Sequence, residues 1–171
     1  RVISFFSQNN IDHTFSNSNI DHSVMLINKF LENIDGTLCL YTKNFKKTIF
    51  NNSKLILKIK EFLKRDEKNE VRVLIEDANY KQEDVKKNTN VFCDSLIDSL
   101  KNKRVSIKNV EGIKGSNHRY MVMRSAYRFS KNAGDDKDFS ASVNFNNPKD
   151  SKILQKHFND VYDNHSRDMS W

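Results

Sequence analysis

The chain has 171 residues, 37% of them hydrophobic and 30% charged, with 29 Lys and Arg against 22 Asp and Glu and a formal charge of +7. That length supports one domain with a real core and leaves little room for two, and the charge excess favours acidic partners such as nucleic acid or an anionic surface. No apolar run approaches the roughly 20 residues of a membrane span, and no basic segment leads into an apolar block as in a signal peptide.

The first residue is Arg1, as expected of a processed product or a piece of a longer chain. Residues 1 to 18 read as an N-terminal extension, with an edge strand over 2 to 6 followed by an Asn/Ser-rich loop; residues 19 to 171 read as the domain. From 19 to 34, Ile20, Val24, Ile27, Leu31 and Ile34 recur every three or four residues, which predicts a helix with one buried face. Asp35-Gly36 ends it, Gly supplying the left-handed cap conformation. The apolar run 37 to 42 predicts a strand covered on both faces. After Lys43, Lys46 and Lys47, a second amphipathic helix buries Leu55, Ile56, Ile59, Phe62 and Leu63 and shows Lys54, Lys58, Lys64 and Arg65 to solvent.

A second strand follows over 70 to 77, then a polar connector over 78 to 90. Val91, Phe92, Leu96, Ile97 and Leu100 predict a third helix, and residues 105 to 107 begin a third strand. Residues 118 to 129 alternate around Arg124-Ser125 and predict a hairpin; after a polar loop, residues 139 to 145 alternate again. Asn147-Pro148 starts the last helix, Asn as a cap and Pro in the first turn, with Ile153, Leu154, Phe158, Val161 and Tyr162 on its buried face. Residues 163 to 171 are expected to fray. The order predicts an α/β fold, a mixed β-sheet flanked by helices on both faces.

No Gly-rich phosphate loop follows any strand. Cys39 and Cys93 lie in apolar surroundings at no metal-ligand spacing, and the five histidines form no metal motif, so neither metal nor cofactor is implied. Reduced, buried thiols fit a cytoplasmic protein. The acidic loop of Asp135, Asp136 and Asp138 reads as a solvated turn.

Chemistry concentrates between residues 118 and 144. A side-chain period of two places His118 and Tyr120 on one face of their strand, and Ser142 and Asn144 on one face of theirs, so neighbouring strands would bring the four together. This pattern resembles the phospholipase D superfamily, whose signature is His-x-Lys, four residues, Asp, and later Gly-Ser-x-Asn. Its positions fall on His118, Tyr120, Ser125 and Ala141-Ser142-Val143-Asn144; His118, Ser142 and Asn144 match, while Lys, Asp and Gly are replaced. The element order of one copy of that fold is also the order read here, over roughly residues 20 to 165.

The resemblance implies a phospholipase D-like single domain in which the histidine attacks phosphorus and Lys and Asn hold the phosphoryl oxygens. Tyr120 carries no positive charge at neutral pH and cannot supply that stabilisation. The implied function is a non-catalytic module for nucleic acid or another phosphate-bearing ligand, with His118, Ser142 and Asn144 as residual polar liners and Arg119, Arg124 and Arg128 as phosphate contacts. The alternative is an active, metal-independent phosphodiesterase or nuclease. Because the family needs two motif copies, that form would be a homodimer with facing His118 side chains, or would take a second half-site from a longer chain.

Overall fold

The computed structural model describes residues 9, 11–17, 20–43, 47–76, 83, 84, 87, 90–112, 119–130 and 141–169. In chain order, β1 (Phe15–Asn17) precedes α1 (Ile20–Asn33) and β2 (Thr37–Thr42). Next come α2 (Lys47–Phe50), α3 (Ser53–Arg65), β3 (Glu70–Ile75), α4 (Asn90–Ser95), α5 (Ile97–Lys101) and β4 (Val105–Val110). Then β5 (Arg119–Met123), β6 (Ala126–Ser130) and β7 (Ala141–Asn144) lead to α6 (Pro148–Asn164) and β8 (Ser166–Asp168). The strands form an eight-stranded mixed sheet in the order β1-β7-β6-β5-β2-β3-β4-β8.

Strands β2, β3 and β4 pair in parallel at the centre; β2 is apolar between its end threonines, as a strand covered on both faces can be, while β3 and β4 carry half-buried Arg72, Ser106, Lys108 and Asn109 among buried apolar residues. The alternating stretches β5, β6 and β7 pair antiparallel beside β2. One face packs Leu26, Phe30, Phe62 and Phe92 of the helices on Leu40, Val73, Met121 and Val143. The other packs Phe158 and Val161 of α6 on Tyr41, Leu74, Tyr120 and Val122. Fully burying an aromatic such as Phe158 contributes roughly 2 to 3 kcal/mol, enough to hold α6 across the sheet.

The capping residues set where the helices begin. Asn52 accepts from the backbone N–H groups of Lys54 and Leu55 at 3.0 and 3.2 Å, starting α3. Asn147 accepts from that of Asp150 at 3.0 Å, with Pro148 in the first turn of α6. Gly36, between α1 and β2, has φ +117, a conformation that favours glycine.

Several expectations need correction. Residues 15–17, expected within a loop, pair with β7 as the sheet's edge; the expected strand over 2 to 6 lies outside the described residues. Residues 166–168, expected to fray, pair antiparallel with β4, because the unpaired edge of β4 offers backbone partners. Residues 83, 84 and 87 of the expected connector are helical, and the expected third helix is divided at Leu96 into α4 and α5. Val91 and Ile153 are exposed, at 46% and 61%. Ile153 lies on the flank opposite Phe158 and Val161, and the inward stripe uses buried Ser151 instead.

Candidate functional site

Directly opposed residues of paired strands share a face of the sheet. Tyr41 opposes Tyr120, Tyr120 opposes Phe129, and Phe129 opposes Ser142, so one row crosses β2, β5, β6 and β7 on the face that α6 covers. The next row joins Asn144, Tyr127 and Val122. The structure therefore brings Tyr120, Ser142 and Asn144 to one face, with Tyr120 and Ser142 two strand spacings apart, about 10 Å. His118 lies outside the described residues. The Tyr41 end of this row sits where β2 and β3 end, the usual place for ligands in open α/β sheets.

Tyr120 is 4% exposed. Its ring stacks on Tyr41 at 5.1 Å and 8°, and its hydroxyl lies 2.7 Å from Nδ1 of His157 on α6. Burial, with smaller contributions from Tyr41 and Cys39, pushes the phenol well above its ordinary pKa, so it stays protonated. The Tyr41 hydroxyl donates to Oε1 of Glu76, just beyond β3, at 3.3 Å. The position of the motif's lysine thus holds a neutral, desolvated phenol between an aromatic ring and an imidazole.

The two motif residues on β7 have different surroundings. Ser142 is exposed, whereas Asn144 is buried at 1%. The Asn144 amide donates to Oδ1 of Asp12 at 2.8 Å and to Oγ1 of Thr14 at 3.1 Å, and its carbonyl accepts from the Asn146 N–H at 2.8 Å. Asn144 therefore anchors the segment leading into β1. Ser125 lies in the β5–β6 turn, at the opposite end of the hairpin from Arg119 and Ser130, and its carbonyl accepts from the Asn147 N–H at 2.7 Å.

The three arginines do not join this row. Arg119 and Arg128 alternate onto the opposite face of the sheet, beside α1. Arg128 donates to Oγ of buried Ser23 at 3.2 Å, and burial, with the neighbouring Arg119 charge, pushes its pKa down to about 10. Arg124 is exposed in the turn with φ +50. Its guanidinium points towards the start of β2: a Cβ on Gly36 would lie 3.7 Å from Arg124 Nε.

The sequence reading missed His157, Tyr41 and Glu76. Only the apolar period of α6 was visible there, and a single histidine 37 residues beyond Tyr120 gives no spacing signal. Among the described residues, no group of three or more His, Cys, Asp or Glu side chains could hold a metal ion. Cys39 and Cys93 are buried and in no disulfide, and burial pushes the Cys39 thiol up to about 12, far from a reactive thiolate. No helix among the described residues is long and apolar enough to cross a membrane.

No protein-family model and no curated protein matches this sequence. Among solved structures, 97% of the chain superposes on TrmBL2, an archaeal chromatin protein described with a novel mode of DNA binding (TM-score 0.63, 10% identity). Likewise, 94% of it superposes on phosphatidylserine synthase of Haemophilus influenzae Rd KW20 (TM-score 0.58, 10% identity). The chain spans 59% and 40% of those two proteins. At such identity the likeness is one of fold, a mixed α/β sheet with helices.

Proposed function

We propose that this chain is a phospholipase D-like domain that binds nucleic acid or another phosphate-bearing ligand without hydrolysing it. The observation that carries the non-catalytic half is Tyr120: at the motif's lysine position stands a buried, neutral phenol already bonded to His157. Phosphoryl transfer relies on positioned cations around the equatorial oxygens, and Tyr120 supplies none. Ser125, at the motif's aspartate position, has no carboxylate to orient a histidine.

The binding half draws support from the charge of +7 and from the fold shared with a chromatin protein whose structure is described for its DNA binding. His118, Ser142 and Asn144 are then a residual motif, and the setting we propose is cytoplasmic. Titration of short DNA and RNA at rising salt tests binding, which should be independent of sequence and fall steeply with salt. A generic phosphodiester incubated with and without added metal tests catalysis. Metal-independent cleavage that disappears in His118→Ala, with the fold intact, would replace this reading by that of an active homodimeric phosphodiesterase.

A further inference from the structure

The outward face of α6 carries its charge in two blocks. Lys149, Lys152 and Lys156 follow one another at helical spacing, and Asp160 and Asp163 continue the same face; all five are exposed. The buried stripe of Ser151, Phe158 and Val161 fixes the direction of that face, away from the sheet. Ile153, 61% exposed, lies among the lysines.

This arrangement runs against the helix dipole, which favours acids near the start of a helix and bases near its end. Asp150 is the one acid of the first turn, and the last turn contains no base. The lysines also have no close ionic partner, the nearest acid along their face being Asp160, one turn beyond Lys156. Among the described residues none of the three makes an ion pair, whereas Lys29 and Lys58 reach Glu32 at 2.7 and 3.4 Å, and Lys58 reaches Glu61 at 2.9 Å. A face that does not stabilise its own helix, next to an uncovered isoleucine, suits an external anion better than solvent alone.

The span of the three charges suits an extended polyanion. At 1.5 Å per residue, Lys149 to Lys156 covers about 10 Å in steps of about 4.5 and 6 Å, too wide for one small anion. One strand of a duplex presents a phosphate about every 3.4 Å along its axis. We propose that Lys149, Lys152 and Lys156 are the contact surface for a nucleic-acid backbone, with Ile153 against the sugars. This inference rests on the binding function proposed above and moves its location from the residual motif, and from Arg119, Arg124 and Arg128, to the outer side of α6. Such contacts position a polyanion without reading its sequence.

The test compares the parent protein with Lys149→Gln/Lys152→Gln/Lys156→Gln, in which glutamine keeps helix propensity. A control, Lys54→Gln/Lys60→Gln/Lys64→Gln, removes the same charge from α3. Binding of a labelled duplex is followed by anisotropy between about 50 and 200 mM salt, with circular dichroism confirming that each variant is folded. The α6 variant should lose about 2 to 3 units of the log–log salt slope and at least about tenfold in affinity at the lowest salt, while the control stays within about twofold of the parent. If the parent binds and the α6 variant keeps its slope and affinity, or the control loses as much, this surface is refuted and the binding function stands. If the parent binds vesicles of anionic lipid but no nucleic acid, the surface serves a membrane and the inference fails. If the parent binds neither, the binding function itself falls.

Discussion

The Tyr120 hydroxyl meets Nδ1 of His157 at 2.7 Å across the interface between β5 and α6. Burial keeps the phenol protonated, and its hydroxyl can donate to Nδ1 or accept from it according to the imidazole's tautomer. The pair closes the place where the phospholipase D-like motif would put a lysine, and it ties the last helix to the sheet.

Tyr120→Phe should cost about 1 kcal/mol, the usual worth of one hydrogen bond, and lower Tm by about 2 to 4 °C in a chain of this size. Tyr120→Lys restores the motif's residue yet places an ammonium against Tyr41 under α6. It should cost about 3 kcal/mol or more and yield no hydrolysis. Urea denaturation and a diester assay on both variants check this; a stable, hydrolytic Tyr120→Lys protein would contradict it.

Asn144 and Ser142 should behave oppositely although both match motif positions in the sequence. Asn144→Ala removes three hydrogen bonds at a buried position and should cost about 2 to 4 kcal/mol. Because two of those bonds hold Asp12 and Thr14, amide exchange in Phe15–Asn17 should accelerate as well. Exposed Ser142→Ala should stay within about 0.5 kcal/mol of the parent. Equal effects from the two substitutions would mean that Asn144 does not anchor β1.

Asp35 links the α1–β2 turn to α3. Hydrogen bonds from Asn69 and then Arg65 hold its carboxyl below the ordinary value. A depressed carboxylate pKa contributes stability that is present above the unfolded value, near 4, and is lost as pH falls through the folded one. Chemical denaturation across acidic pH should therefore show a shallower loss below about pH 4 in Asp35→Asn than in the parent. An unchanged acid limb would show that this contact contributes nothing to folding.

Lys149→Glu should separate stability from binding. Replacing a base by an acid in the first turn of α6 should stabilise the fold by about 0.5 kcal/mol through the helix dipole, while weakening attraction to polyanions. A rise in Tm together with lower nucleic-acid affinity is the expected pair of results. Lower stability, or unchanged affinity, would count against the role given to this face.

The parts of the fold that depend on periodicity were legible in the sequence. Alternation located the hairpin, β7 and their shared face, and the 3.6-residue period located α1, α3 and α6. The edge strands were not legible, because three residues show no alternation and Phe15–Asn17 and Ser166–Asp168 are ordered by their partners β7 and β4. Ile153 misled because an apolar residue near a helical stripe reads as core, while only the docked helix shows which flank faces out. His157 was invisible for a related reason: its meeting with Tyr120 depends on how α6 crosses the sheet.

Binding without cleavage is tested most directly by holding a labelled oligonucleotide with excess protein at low salt and resolving halves of the same mixture on native and denaturing gels. The account predicts a shifted band on the first and full-length oligonucleotide on the second. Shorter products that persist in chelator, or no shift at any protein concentration, would contradict it.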